Sequence, residues 1–219
     1  MFTTRFRQGS LVWVYLAVTQ PEGYEVFQTE KKLILASQSP RRISFLEELG
    51  LNFQTIAASI AEIRRTGESP GTFVERMAGE KALDVARRVP DAWILSADTI
   101  VFIDDNVFGK PESEDDAVEM LMALSGREHK VMTGYCLACR DLHIKTVERV
   151  LTSVRFTKFS QATARAYVKT GEPLDKAGGY GIQGVGGILV ECIGGSYSNV
   201  VGLPLAETLA LLKRYNIIS

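Results

Sequence analysis

The sequence predicts an α/β fold, and three observations support this prediction. From Lys32 onward, short apolar runs alternate with segments of helical periodicity. The 219 residues, of which 46% are hydrophobic and 23% charged, suffice to bury the core of one domain or of one domain with two lobes. No internal repeat or low-complexity tract interrupts the pattern. We therefore expect a core domain at residues 32–219, preceded by an extension at residues 1–31.

The predicted elements follow from periodicity and from capping residues. LILA at 33–36 is the first strand, and Ser39 with Pro40 opens a helix that Gly50 ends. The remaining elements are strands at 52–58, 93–104, 129–140, 145–157 and 188–193, and helices at 70–89, 113–124, 160–170 and from about 204 onward. The strand at 93–104 is the most apolar of these and contains one acidic residue in its interior, Asp98.

The first 31 residues differ in composition from the rest of the chain. Arg5 and Arg7 precede the apolar run LVWVYLAV, and the first acidic residue is Glu22. The run is too short to span a bilayer and no clean cleavage pattern follows it. The segment is compatible with an organellar transit peptide, an added extension or an upstream start. We expect no membrane association and a cytoplasmic location, and the sequence is compatible with a homodimer.

Net charge and cysteine content exclude several classes of protein. The formal net charge of -1 provides no field that would attract nucleic acid, so an anion site has to be local. Three cysteines are too few and odd in number for a disulfide framework, which indicates a reducing compartment. Cys136 and Cys139 lie three apart in a predicted strand and should face opposite sides of the sheet, as core residues. We expect His129 and His143 at strand ends on the surface, which leaves little for a zinc site.

Hydroxyl and guanidinium groups cluster where the first predicted strand meets the first helix. Ser37 and Ser39 end the strand, and Arg41 and Arg42 lie in the first turn of the helix. Cations are slightly unfavourable at this end of a helix, where free N–H groups and the macrodipole attract anions. The arrangement favours a phosphate site over a merely basic helix surface.

The acid inside the strongest strand indicates a second part of the same site. Burying Asp98 requires a cation, a metal ion or hydrogen-bond donors. Lys81 and Lys110 are candidate partners, and a purely structural ion pair is the alternative. Glu62 could join Asp98 as an oxygen ligand for Mg²⁺ or Mn²⁺, which bind through one or two carboxylates and substrate phosphates. The residues alone thus predict a metal-dependent phosphate site.

A glycine-rich segment, DKAGGYGIQGVGG, contains the spacing of the dinucleotide-binding fingerprint in the wrong context. That fingerprint requires a strand before it and a helix after it, whereas here a strand follows. Glycine instead lets the backbone approach a ligand closely, and Gln183 offers both a donor and an acceptor to the edge of a base.

Seven motifs together resemble the Maf family of nucleoside triphosphate pyrophosphatases. They are LASQSPRR, EKA at 80–82, SADTIV, GKP, LSGREHKVMTG, EPLDKAGGYGIQG and VVGLPL, and they occur in order from Lys32 to the C-terminus. The resemblance implies a fold related to the inosine triphosphatase type, an elongated mixed sheet with flanking helices and a cleft between two lobes. It also implies cleavage of a triphosphate to a monophosphate and pyrophosphate, with a divalent metal as cofactor and a nucleotide as the partner.

The resemblance also assigns roles to individual residues. Asp98 matches the proton acceptor that activates water, and Glu62 matches an acid lining the cleft beside it. The residues that match phosphate-binding positions are Ser37, Arg42, Lys81 and Lys110. Asp175 and Lys176 match the family pattern, and the choice between catalysis and shaping of the loop stays open.

Three positions separate the branches of this family by substrate. Arg41, Thr99 and Gln183 match the branch that acts on dTTP and UTP, whereas a 7-methyl-GTP branch carries Trp, Gln and Glu there. We therefore expect a house-cleaning enzyme for pyrimidine triphosphates, including modified ones. The alternatives are a nucleotide-binding regulator of cell division and septum formation, or the same chemistry on 7-methyl-GTP.

Overall fold

The computed structural model of the protein describes residues 26–104 and 106–219. Expectations for residues 1–25 and for Asp105 lie outside these ranges. Thr29 forms an antiparallel bridge with Ile218, and the backbone N–H of Glu30 donates to the carbonyl of Ile217 at 2.8 Å. The residues just before Lys32 therefore contact the C-terminal end of the fold, and the domain boundary at residue 32 stays a prediction.

Strands and helices alternate through the described residues, which confirms the α/β prediction. The strands are β1 (Leu33–Leu35), β2 (Gln54–Thr55), β3 (Trp93–Ile103), β4 (Asn106–Phe108), β5 (Glu128–Cys139), β6 (Ile144–Phe156) and β7 (Val190–Gly194). The helices are α1 (Pro40–Glu48), α2 (Pro70–Arg88), α3 (Glu114–Leu124), α4 (Gln161–Val168), α5 (Tyr197–Val201) and α6 (Leu205–Arg214). Three short 3-10 turns lie in and beside the glycine-rich segment, at Glu172–Asp175, Ala177–Gly179 and Val185–Leu189.

The strands form one mixed sheet with a gap along the edge of its central strand. The order is β2-β1-β3-β5-β6-β7, and β4 pairs with β3 outside this path. β1 runs parallel to residues 93–95 of β3, and β4 runs antiparallel to residues 101–103. Both lie on the edge of β3 opposite β5, so residues 96–100 have no strand partner on that edge within the described part of the chain. The mixed sheet with flanking helices agrees with the expected architecture.

Each face of the sheet is covered by different helices. On one face, α2 packs against even-numbered residues of β3, such as Ile94 and Ile100. On the other face, α1 and α6 form one hydrophobic cluster with Leu95, while α3 and α4 form a second with Val101. The two clusters give the fold its two lobes. Buried apolar side chains on both faces of a strand are typical of sheets covered on both sides.

The cysteine prediction is confirmed. Cys136 and Cys139 are both buried, the first in the cluster under α2 and the second in the cluster under α1 and α6. Their odd spacing along β5 therefore places the two thiols on opposite faces of the sheet.

The prediction for His129 is wrong, because both faces of β5 are covered near its start. The ring of His129 is buried, and its Nε2 shares a hydrogen bond of 2.8 Å with the hydroxyl of Tyr180. Burial lowers the pKa of His129 to about 4, so the ring is neutral at physiological pH. His143 lies exposed in the turn between β5 and β6, as expected.

Three further elements differ from the predictions, the first being β4, where the sequence predicts no strand. The second strand pairs only over Gln54–Thr55, because the rest of the apolar run at 52–58 leaves the sheet to enter the loop towards α2. Helix α5 lies inside the segment that the sequence leaves without an element before residue 204. At five residues it is too short to show helical periodicity.

Candidate active site

A cleft with a volume of about 1250 Å³ opens at the gap in the sheet. All nine residues that the sequence predicts for the site line this cleft, which are Ser37, Arg41, Arg42, Glu62, Lys81, Asp98, Thr99, Lys110 and Gln183. The described lining contains six cationic and four acidic side chains. The cleft therefore carries net positive charge in a chain whose formal charge is -1, which is the local anion site that the sequence requires.

The gap explains how two adjacent residues of β3 reach the same cleft from opposite faces. Asp98 points towards α2, where it meets Lys81, and Thr99 points towards α1, where its hydroxyl accepts a hydrogen bond of 3.0 Å from Arg42. In a continuous sheet these side chains would lie in separate layers. Here no neighbouring strand in the described residues covers this edge of β3, so one cavity reaches both faces.

The buried acid of β3 is paired with a buried lysine. The side chain of Lys81 donates to Oδ1 of Asp98 at 2.7 Å, and both residues are less than 10% exposed. The same ammonium lies 2.8 Å from Oε1 of Glu62, which approaches from the loop before α2. Of the two lysines considered as partners, Lys81 is the one that pairs with Asp98. Lys110 forms no ion pair with a described residue and lines the cleft.

A glycine in the neighbouring strand brings α2 close enough for this ion pair. Gly134 of β5 lies directly opposite Asp98 in the sheet. A Cβ atom at Gly134 would lie 2.5 Å from the carbonyl carbon of Val74, so any side chain there would push α2 away. Val74 and Lys81 are two helical turns apart and share a face of α2. The close packing at Gly134 therefore sets the height of Lys81 above Asp98.

The loop that carries Glu62 is held by an ion pair that the sequence reasoning missed. Glu68 accepts two hydrogen bonds from Arg76 of α2, at 2.6 and 2.7 Å, and one from the backbone of Arg65 at 3.0 Å. The hydrogen bonds from Arg76 lower the pKa of Glu68 to about 2. Its sequence signal is an acid directly before the N-cap Ser69, eight residues from an arginine on the helix.

Arg42 belongs to the framework of the cleft as well as to its lining. Its guanidinium donates to the carbonyls of Gly202 at 2.7 Å and Ala97 at 2.8 Å, and to the hydroxyls of Thr99 and Ser37 at 3.0 and 3.3 Å. These four bonds leave one of the five N–H groups for a ligand. Burial lowers the pKa of Arg42, and the carboxylate of Asp98 opposes that effect.

The other polar residues at the start of α1 form fewer or longer hydrogen bonds than Arg42. Arg41 donates to the carbonyl of Val201 at 3.3 Å and lies 3.5 Å from Asp175 across the cleft. Ser39 precedes α1 without a side-chain cap, and its backbone N–H instead donates to the hydroxyl of Ser37 at 3.1 Å. The Ser37 hydroxyl accepts this bond and keeps its own proton to donate to a ligand.

The opposite wall of the cleft consists of the glycine-rich segment and the turn before it. Asp175 lies between Arg41 and Lys176, whose ammonium also donates to the carbonyl of Glu172 at 2.6 Å. Burial opposes ionisation of Asp175, but the hydrogen bond and charge of Lys176 lower its pKa. Because these ion pairs and this hydrogen bond lie within the turn, they favour shaping of the loop as the role of Asp175 and Lys176. Gln183 lies exposed within the segment, between two of its 3-10 turns, and lines the cleft.

The carboxylates of the cleft can hold one divalent metal ion together with a substrate. Clusters of three or more His, Cys, Asp or Glu side chains arranged for a metal do not occur in the described residues. Glu62 and Asp98 each place a carboxylate oxygen within 3 Å of the Lys81 ammonium, so the two carboxylates converge on one place. Mg²⁺ commonly uses one or two carboxylates and completes its shell with water and substrate phosphates. The donor set therefore fits such an ion.

Comparisons with known proteins show the family to which the chain belongs. The profile of the family described as "Maf-like protein" matches residues 32–215. The chain belongs to the Maf-like family. This confirms the resemblance carried by the seven motifs, and it covers both walls of the cleft.

Relatives within the Maf-like family include several proteins of one name. A protein named "dTTP/UTP pyrophosphatase" from Desulfotalea psychrophila is 53% identical over 194 residues, 89% of this chain and 100% of that protein. Proteins of the same name from Ruminiclostridium cellulolyticum and Vibrio cholerae are 44% and 46% identical, over 85% of this chain and 97% and 100% of theirs.

Among solved structures, the Staphylococcus aureus Ham1 protein is similar to this chain with a TM-score of 0.43. The identity is 14%, over 57% of this chain and 72% of that chain. This overlap is too small to add to the family assignment. In the part of the chain that the structure describes, no helix combines the length and apolar character that a membrane span requires.

Proposed function

We propose that this protein hydrolyses dTTP and UTP to the monophosphate and pyrophosphate. The observation that carries the proposal is the buried Asp98–Lys81 pair at the base of a positively charged cleft, in a chain 53% identical to a protein named for this activity. A nucleoside triphosphate carries about four negative charges at neutral pH, which the cations of the cleft can balance. The proposal includes a cytoplasmic location, supported by the three free cysteines.

The cationic side chains and the hydroxyl group on the β3 side of the cleft are suited to bind the triphosphate. Lys110 lines the cleft without an ion pair to a described residue, and Ser37 has a hydroxyl proton to donate. Arg42 keeps one N–H group for a phosphate oxygen while its other donors fix β3 and the segment after α5. Charge neutralisation and positioning are the main requirements of phosphoryl chemistry, so these groups suffice without a covalent intermediate.

Asp98 is suited to accept the proton of the attacking water. In the proposed reaction, the water oxygen bonds to the α-phosphorus and the bond from that phosphorus to the bridging oxygen breaks. Asp98 takes the proton of the water, and pyrophosphate leaves with the bonding electron pair. Lys81 holds Oδ1 of Asp98, which fixes the direction of the carboxylate and leaves Oδ2 for the water.

Glu62 and Asp98 would hold the divalent ion that the family implies. When bound, Mg²⁺ or Mn²⁺ supplies charge neutralisation at the phosphates and lowers the pKa of a coordinated water. Lys81 lies between the two carboxylates and keeps them at a fixed separation. This ammonium also neutralises part of their charge, which limits their mutual repulsion before the ion binds.

Base recognition is proposed for Arg41, Thr99 and Gln183. Arg41 and Gln183 line opposite sides of the cleft, one at the start of α1 and the other in the glycine-rich segment. Thr99 contacts the hydroxyl of Thr133 and the guanidinium of Arg42, so its side chain is fixed. Gln183 can donate to one edge atom of a pyrimidine and accept from another.

A substrate panel tests this function. The purified chain is incubated with Mg²⁺ or Mn²⁺ and with dTTP, UTP, CTP, GTP, ATP or 7-methyl-GTP, and pyrophosphate release is measured. We expect the highest kcat/KM for dTTP and UTP. Absence of release from both would contradict the proposal, and binding of a nucleotide without turnover would favour the regulatory alternative. A preference for 7-methyl-GTP would favour the other branch of the family.

A further inference from the structure

The segment that carries Gln183 has little backbone pairing of its own. Residues 181–184 lie between two 3-10 turns, and they belong to no strand or helix. A residue that reads a base has to be held in place before the substrate binds, since ordering it on binding reduces the affinity. Ile182, directly before Gln183, packs against the hydrophobic clusters on that face of the sheet, and the remaining restraint on Gln183 has to come from side-chain hydrogen bonds on either side of it.

Two side chains from outside the segment supply these contacts. Before Gln183, the backbone N–H of Gly181 donates to the hydroxyl of Tyr167 at 3.0 Å. After it, the N–H groups of Val185 and Gly186 donate to the two carboxylate oxygens of Glu172, at 2.8 and 3.2 Å. The hydroxyl of Tyr167 in turn donates to Glu172 Oε1 at 2.8 Å. We call Tyr167 and Glu172 the clasp.

The clasp also explains why the segment is rich in glycine. A Cβ atom at Gly184 would lie 2.6 Å from Cδ of Glu172, and one at Gly186 would lie 2.8 Å from Cζ of Tyr167. Each distance is shorter than any ordinary contact, so a side chain at either position would force the clasp off the backbone. Gly184, one of the glycines with the spacing of a dinucleotide fingerprint, is thus required because the side chain of Glu172 lies against it.

The clasp is itself fixed to the core. Tyr167 lies in α4 with its ring buried in the cluster of α3 and α4, and only its hydroxyl reaches the segment. Glu172 follows Gly171, which has a φ of 75° and ends the helical stretch. The carbonyl of Glu172 accepts from Lys176, which holds the backbone of the turn. Neither clasp residue depends on the substrate for its position.

From these contacts we infer that Tyr167 and Glu172 are positioning residues that hold Gln183 for base discrimination. The inference rests on the proposed function, because it concerns the choice among triphosphates. The clasp does not touch the reacting atoms and acts through the backbone on both sides of Gln183. Its loss should therefore change which base is accepted and leave the chemistry at Asp98 intact.

The first test is Glu172→Gln, which keeps the shape of the side chain and replaces one acceptor oxygen with a donor. One of the three N–H or O–H groups that point at Glu172 then meets an amide N–H and loses its bond. We expect the ratio of kcat/KM for dTTP to that for GTP to fall by about tenfold, through a higher KM for dTTP. The kcat for dTTP should stay within about twofold, because the catalytic groups are unchanged.

Three further variants separate a positioning role from a general loss of structure. Tyr167→Phe keeps the ring in the core and removes the hydroxyl, so it should shift the same ratio in the same direction even if Glu172→Gln folds poorly. The double variant should lose no more than the stronger single variant, because both act on one segment. Glu119→Gln is the matched control, since Glu119 lies exposed on α3 away from the cleft, and its ratio should equal that of the wild type.

Amide hydrogen exchange provides a readout that does not depend on turnover. Peptides covering residues 181–186 should exchange faster in Glu172→Gln and in Tyr167→Phe than in the wild type, and peptides covering β3 should not. An unchanged ratio for dTTP and GTP in both variants would overturn the inference, as would an equal loss of kcat for both substrates. If the wild type releases no pyrophosphate from any triphosphate, the proposed function fails. If the wild type is active and the ratio holds, only the inference fails.

Discussion

The two walls of the cleft are held in place by different means. The strand wall, built from β1, β3, α1 and α2, carries Asp98 and Lys81 on long regular elements. The pairing of β3 with β5 extends over residues 94–102 of β3. The turn wall, residues 172–187, carries Gln183 between short 3-10 turns that are tied down by side chains of Tyr167 and Glu172. Backbone pairing positions Asp98, the proposed proton acceptor, and side-chain hydrogen bonds position Gln183, the residue proposed to contact the base.

This difference indicates that turnover and substrate choice can be altered separately. Substitutions in the strand wall should lower kcat for every triphosphate alike, because they act on Asp98, the proton acceptor proposed for all substrates. Substitutions in the turn wall should act on KM and on the ratio between substrates. A regular element also tolerates the loss of one side-chain bond, whereas a segment held by three such bonds does not.

The largest expected effect is that of Asp98→Asn. The amide has the shape of the carboxylate and cannot take a proton from water, so kcat should fall by about 10²- to 10⁴-fold for dTTP and UTP alike. Nucleotide binding should stay nearly intact, and Lys81 retains Glu62 as a partner. Steady-state kinetics and a binding isotherm check both parts. Full activity of the variant would show that another group accepts the proton.

A second, smaller effect is expected from Gly134→Ala. The added Cβ meets the backbone of Val74, so α2 has to move away from β5 and Lys81 moves with it. We expect a loss of about 1–3 kcal/mol in the free energy of unfolding. We also expect a lower kcat with an unchanged ratio between dTTP and GTP. Urea unfolding and kinetics are the measurements.

The matched control for that variant is Gly194→Ala. Gly194 also lies in a strand, β7, and a Cβ there would meet only Cβ of Ser153 at the ordinary distance of 3.8 Å. Its stability and kcat should stay close to the wild-type values. If Gly134→Ala behaved like this control, close packing of α2 would not be what positions Lys81.

A third expected effect, confined to acidic pH, concerns the turn wall. His129 bonds to Tyr180, directly before the segment of Gln183, and its pKa is lowered to about 4 by burial. Between pH 6.5 and 4, the unfolded chain binds a proton at this residue and the folded chain does not, so stability falls as the pH falls through this window. Two charged neighbours have smaller effects than burial. The charge of Glu128 raises the pKa of His129, and the charge of Lys130 lowers it.

The test of this pH dependence is a comparison with His129→Phe. The phenyl ring fills the site and does not titrate, so the variant should lose less stability than the wild type between pH 6.5 and 4, as measured by urea unfolding at several pH values. His143→Asn, at the exposed turn, should keep the wild-type pH profile. Parallel profiles for the wild type and His129→Phe would mean that His129 protonates equally in both states.

Much of the strand wall could be predicted from the sequence, for physical reasons. Asp98 stands out because an acid inside an apolar strand needs a partner, and the structure supplies Lys81 at 2.7 Å. Ser37, Arg41 and Arg42 stand out because the end of a parallel strand and the start of a helix coincide there. Local patterns of this kind are set by neighbours in sequence, so a single sequence contains them.

The turn wall could not be derived in the same way. Glu172 looks like an ordinary acid beside a proline, and its partners Val185 and Gly186 lie 13 and 14 residues away with no periodic pattern between them. The prediction for His129 is wrong for a related reason: a polar residue at the start of a strand normally faces solvent, and here Phe156 of β6 and Tyr180 from a distant segment pack against its ring. Such contacts follow from tertiary packing, which periodicity does not report.

The gap along β3 has one more consequence. Backbone groups on an open strand edge are a template on which a strand of another chain can pair, and such edges promote aggregation. Arg42 occupies this edge, because its guanidinium donates to the carbonyl of Ala97 inside the gap and to that of Gly202 beside it. Arg42 therefore occupies a backbone acceptor on this open edge that a strand of another chain would otherwise need for pairing, in addition to lining the cleft.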